Sequence, residues 1–131
     1  MVIDTSALLA VLLEEPEASG FRQALSRDPV RMISAVSALE ATCVLESRLG
    51  ERAGVELELF LHKIKVRVMP FDEEQLEIAR WAWRKFGKGR HPAGLNLGDC
   101  AAYALAKAAR EPLLFKGSDF AQIDVQAVIV A

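Results

Sequence analysis

Short apolar runs alternate with longer helical patterns along the whole chain, and this alternation restricts the fold more than any other feature. Runs rich in Val, Ile and Leu occur at Met1–Asp4, Arg31–Ser34, Val66–Met69, Leu113–Lys116 and Ala127–Val130. They are too short to be core helices and predict strands. Between them, apolar spacing predicts helices over 6–14, 16–27, 36–49, 51–64, 73–86 and 98–110. Ser34 or Ser37 is placed to cap the third helix. Asp72 caps the fifth, with Glu73 and Glu74 in its first turn. Gly50 and Gly87 follow the third and fifth, where a left-handed residue is favoured. Strands alternating with helices imply an α/β sandwich around a mainly parallel sheet. No repeat or shift in composition divides the 131 residues, so a single domain over 1–131 is expected.

Composition narrows the class. Apolar residues make up 52% of the chain, ample for one core, and no run of 18 apolar residues predicts a membrane span. Asp4 arrives too early for a signal peptide. Cys43 and Cys100 lack metal-binding spacing, so neither a zinc site nor a disulfide framework is expected, and a reducing cytoplasm is the default. The net charge of −2 argues against nucleic acid at first sight. If four of the 18 acids serve a metal, however, the remaining 14 stand against 16 Lys and Arg, a balance of +2. A local basic patch is then the better guide.

Four acids stand where a parallel sheet gathers functional groups. Asp4 closes the first strand, and ligands of open parallel sheets bind beyond such carboxyl ends; it also suits a simple turn. Thr5 and Ser6 offer hydroxyls that can cap the next helix and hold its carboxylate. Glu40 has Val36, Cys43 and Val44 as helical neighbours, so it interrupts an apolar side. Its other reading is a salt bridge, for instance to Arg48. Asp99 falls in the first turn of an alanine-rich helix, where the dipole favours an anion; a good helix start explains it equally. Asp119 follows the fourth strand, as ligand or as cap of a short turn. Acids that converge repel one another, and the usual reason to gather them is a hard divalent cation.

In order along almost the whole chain, Val2-Ile3-Asp4-Thr5-Ser6, Ser37-Ala38-Leu39-Glu40, Leu95-Asn96-Leu97-Gly98-Asp99-Cys100 and Leu113-Leu114-Phe115-Lys116-Gly117-Ser118-Asp119-Phe120 resemble the PIN-domain nucleases. More narrowly they resemble VapC-type toxins of bacterial toxin–antitoxin pairs, and Gly87-Lys88-Gly89-Arg90-His91 is typical of one branch of these. The resemblance implies a three-layer α/β/α sandwich with a five-stranded, mainly parallel sheet. It implies an endoribonuclease dependent on Mg²⁺ or Mn²⁺. Asp4, Glu40 and Asp99 are then the core acids and Asp119 the fourth. It also implies a VapB-type antitoxin partner and a homodimer.

For substrate contact the candidates are Thr5, Ser6, Lys88, Arg90, Lys116 and Ser118. Arg84, Lys85, Lys88 and Arg90 form a basic stretch without an acid, suited to phosphates. His91, in the glycine loop, is a further candidate for touching substrate; His62 reads as structural. Trp81 and Trp83 are two apart on a helix and cannot share a face, so one is expected inside and the other free for a partner. Cys43 and Cys100 read as small buried filler. Two rivals remain: a phosphoryl-transfer enzyme using Asp4 as nucleophile, although Ser6 stands where a second Asp is wanted, and a catalytically silent RNA- or protein-binding module.

Overall fold

The computed structural model describes residues 1–130. Four parallel strands form one sheet in the order β3-β2-β1-β4: β1 (Val2–Ile3), β2 (Met32–Ser34), β3 (Arg67–Met69) and β4 (Leu113–Leu114). Successive strand residues point to opposite faces. Val2, Met32 and Leu113 therefore enter one core, together with α5 (Glu73–Phe86) and α6 (Leu97–Ala109). Ile3, Ile33 and Leu114 enter the other, with α1 (Thr5–Leu12), α2 (Ala18–Arg27), α3 (Ala35–Leu49) and α4 (Glu51–Lys63). The three-layer α/β/α sandwich expected from the sequence is formed. Burial on both faces explains why β1, β2 and β4 read as unbroken apolar runs rather than as alternating patterns.

The fifth strand expected over Ala127–Val130 does not form, which corrects the five-stranded sheet to four. That segment meets β4 through a single parallel bridge, Leu113 to Ala127. Two backbone hydrogen bonds hold it: Leu113 N–H donates to the Gln126 carbonyl at 2.8 Å, and Val128 N–H donates to the Leu113 carbonyl at 3.0 Å. The ladder stops there because β4 is only two residues long. The Lys116 N–H turns away to Ser6 Oγ at 2.9 Å, and Gly117 takes a positive φ of 100°.

Helix boundaries match the predicted ones to within two residues, and the local caps explain them. Asp4, Ser34 and Asp72 cap α1, α3 and α5 by accepting from the N–H groups of Ser6, Val36 and Gln75. Gly50 ends α3 at a φ of 88°. The alanines of α6 keep its side chains short, and Ala101, Ala102, Ala104 and Ala106 are all buried beside α5 and the sheet.

The order of the strands decides where a site can lie. The chain steps from β1 outward to β2 and β3, then returns past β1 to β4. Connections leaving β1 and β4 diverge, and this opens a crevice at the carboxyl edge of the sheet. The N-termini of α1, α3 and α6 lie at that same edge, because each helix runs antiparallel to the strands it joins.

Candidate active site

Asp4 sits at the carboxyl end of β1 and is only 4% exposed. As the cap of α1 it accepts the Ser6 N–H at 3.0 Å and the Ser6 hydroxyl at 2.5 Å, both on Oδ2. Ser6 Oγ in turn accepts the Lys116 N–H, so its proton is directed at Asp4. Among the described residues no hydrogen bond reaches Asp4 Oδ1. Thr5 is turned elsewhere: its hydroxyl donates to the Ser37 carbonyl at 3.2 Å and ties α1 to α3. Burial raises the Asp4 carboxyl to about pKa 6 against the opposing bonds from Ser6, and the charges of Asp99 and Glu40 add to the rise.

Asp99 lies three residues into α6. Asn96 caps that helix, and the two form a reciprocal capping box: Asp99 N–H donates to Asn96 Oδ1 at 2.9 Å, while Asn96 N–H donates to Asp99 Oδ2 at 3.0 Å. This bond fixes the carboxylate against the helix end. Asn96 was missed in the sequence, although Asn-x-x-Asp at a helix start is a readable capping signal. Burial also raises the Asp99 carboxyl, opposed by the Asn96 bond and assisted by Asp119 and Glu40.

Glu40 projects from the second turn of α3 and makes no ion pair among the described residues, so the salt bridge to Arg48 is not formed. Its carboxylate lies against Gly98, next to Asp99. The face it occupies is less apolar than expected, because Cys43 is exposed rather than buried; Cys100 is buried as anticipated. Asp119 precedes the 3₁₀ turn Phe120–Gln122 without capping it through its side chain, and it is near enough to raise the Asp99 carboxyl. The four acids thus converge electrostatically, Asp4 with Asp99 and Glu40, and Asp99 with Glu40 and Asp119.

Among the described residues, no three His, Cys, Asp or Glu side chains stand in a ready-made ligating cage. The donor set nevertheless suits a hard divalent cation. It consists of carboxylate oxygens, while the adjacent Cys100 thiol is pushed up to about 11 by burial and by Asp99. Mg²⁺ retains several waters and binds through one or two carboxylates, so it does not require a closed protein cage.

The remaining candidates separate. Lys88 and Arg90 are exposed on the glycine loop. Ser118 is exposed beside Asp119, and its carbonyl accepts from Gln122 Nε2 at 3.3 Å. The Lys116 ammonium is paired with Glu15 and Glu17. His91 serves its own loop: Nδ1 accepts the Ala93 N–H at 3.0 Å and the ring meets Phe86 edge-on. Neither tryptophan is inside. Trp81 stacks on Tyr103, and Trp83 lines an apolar pocket of about 470 Å³ beside Leu97.

Comparison with known proteins identifies the family. The PIN domain family matches residues 1–126. A "Ribonuclease VapC" from Mycolicibacterium smegmatis is 54% identical over 128 residues, covering 98% of this chain and 99% of that protein. "Ribonuclease VapC30" from Mycobacterium tuberculosis is 50% identical, with 98% of each chain covered. Among solved structures, the sarcin–ricin loop cleaving toxin VapC20 of Mycobacterium tuberculosis superposes with a TM-score of 0.80 at 20% identity, over 99% of this chain and 98% of that one. VapBC2 from Rickettsia felis, bound to a promoter DNA fragment, superposes with a TM-score of 0.75 at 12% identity, over 96% and 94%.

Proposed function

The chain belongs to the PIN-domain family and, within it, to the VapC ribonucleases, and from that premise we propose that it is a metal-dependent endoribonuclease toxin held in check by a VapB-type antitoxin. The observation that carries this reading is the convergence of Asp4, Glu40, Asp99 and Asp119 at the carboxyl edge of the sheet, with Asp4 and Asp99 both raised in part by like charge. Such an arrangement is costly without a cation and matched by one. Cytoplasmic location and a homodimer belong to the same proposal. Among the described residues no helix is long and apolar enough to cross a membrane.

Asp4 and Asp99 would hold Mg²⁺ or Mn²⁺ directly, with Glu40 and Asp119 as further ligands or through water. When bound, the ion supplies Lewis acidity towards a water nucleophile and the scissile phosphate. Ser6 and Asn96 orient the two leading carboxylates by engaging one oxygen of each, which leaves the other without a hydrogen bond among the described residues. Lys88 and Arg90 supply charge that grips the phosphate backbone without reading bases. Water rather than the ribose 2′-OH is the nucleophile in this scheme, so products carry 5′-phosphate and 3′-OH.

Asp99→Asn tests the reading. The amide keeps the capping geometry but removes the charge. The variant should retain its fold while metal-dependent RNA cleavage falls at least 100-fold. A folded Asp99→Asn protein that still cleaves at the wild-type rate would overturn the assignment. The silent binding module draws on the absence of a ready-made ligand triad among the described residues. Calorimetric titration with Mn²⁺ distinguishes it, since such a module should release no heat that Asp99→Asn abolishes.

A further inference from the structure

We infer that Gly98 is a positioning residue: its missing side chain is the seat for the Glu40 carboxylate, and it sets where that charge lies beside Asp99. A Cβ built on Gly98 would stand 2.7 Å from Glu40 Oε1 and 2.8 Å from Cδ, with Oε2 nearer still. Distances below 3.0 Å force something to move. The backbone supplies no other reason for glycine, because Gly98 is not in the left-handed region. It lies in the first turn of α6, in a helix otherwise rich in alanine, and glycine within a helix is less stable than alanine. The chain therefore keeps a weaker helix former where a carboxylate from another helix closes over the backbone. That carboxylate is the end of a flexible side chain, so alanine at 98 displaces the charge rather than the helix.

A second glycine provides an internal control. Gly54 on α4 lies under Glu46 of α3, where an added Cβ would come within 2.7 Å of Cδ and nearer to Oε2. The steric relation is the same, but Glu46 is not among the acids that perturb Asp4 or Asp99. If glycine beneath glutamate serves helix packing alone, the two positions behave alike. If Gly98 positions a ligand, only one of them affects metal.

The inference rests on the reading of Glu40 as part of a metal site, and the test keeps the two apart. Mn²⁺ affinity is measured by calorimetry on full-length wild type, Gly98→Ala, Gly54→Ala and Asp99→Asn, with Tm recorded for each. Gly98→Ala should be folded and bind Mn²⁺ at least 5-fold more weakly, while Gly54→Ala binds as wild type. In a Glu40→Asp background the same alanine should lose less, because the shorter side chain ends about 1.5 Å further back. Wild-type affinity in Gly98→Ala, alongside loss of binding in Asp99→Asn, overturns the role of Gly98 and leaves the metal site standing. Undiminished binding in Asp99→Asn overturns the metal reading itself. If Gly98→Ala does not fold, Gly98→Ala/Glu40→Ala decides: recovery of the fold supports the seat, and continued failure refutes it.

Discussion

Replacing Asp4 with Asn should make the metal-free protein more stable at neutral pH while removing its activity. Burial raises the Asp4 carboxyl from 3.8 to about 6. A carboxyl whose folded pKa lies above its unfolded value holds its proton more tightly in the folded state. The folded state is therefore favoured below about pH 4, and this advantage is lost as pH rises through 6. The shift of roughly two units, at 1.36 kcal/mol each, amounts to about 3 kcal/mol of destabilisation at pH 7. Asn carries no charge and keeps a carbonyl oxygen for the Ser6 N–H, so most of that penalty should disappear. For a domain of this size about 4 °C accompanies each kcal/mol, which places the Tm of Asp4→Asn roughly 10 °C above wild type at pH 7.5 in EDTA. The difference should shrink towards zero near pH 4. Asp99, also raised, remains in the variant and leaves some slope in its own curve. Thermal melts by circular dichroism at half-unit pH steps measure this directly, and added Mg²⁺ should narrow the gap by stabilising only the wild type. An Asp4→Asn Tm equal to or below wild type at pH 7.5, or a difference independent of pH, would refute the claim that a buried, desolvated carboxylate burdens this site.

Two further outcomes follow from other parts of the molecule. Tyr103 is buried and its hydroxyl donates to Asp124 Oδ1 at 2.8 Å, which pins the segment after the 3₁₀ turn to α6. Tyr103→Phe should lower stability by about 1–2 kcal/mol and increase hydrogen exchange at Ile123–Val128; unchanged exchange would show that the Lys107 contacts to Asp124 suffice. Changing Lys88 and Arg90 together to Ala should lower the slope of log affinity against log salt for single-stranded RNA by about 1–1.5. Lys116→Ala should change it less, because that ammonium already pairs with Glu15 and Glu17; equal slopes for all variants would exclude the glycine loop from the RNA path.

The sequence by itself determined what depends on near neighbours. Strands were readable as short apolar runs and helices by a period of 3.6, because both survive in the order of residues. The caps at Ser34 and Asp72 were readable because a cap and its partner lie within three positions. Asp4 and Asp99 stood out as candidates from their places at a strand end and a helix start, and the family was legible in four motifs.

Tertiary structure decided what depends on residues far apart in the chain. Whether Ala127–Val130 becomes a strand depends on how far β4 extends, and β4 is cut short by the turn that carries Lys116 to Ser6. Lys116 looked free for phosphate until α1 and α2 brought Glu15 and Glu17 beside it. The exposure of Cys43 follows from how α3 is rotated on the sheet. The contact of Glu40 with Gly98 joins residues on two helices, and nothing local to either position announces it. Local order encodes the conformation of a segment, whereas distances between segments arise only when the two cores pack. The chemistry proposed for this site depends on those distances.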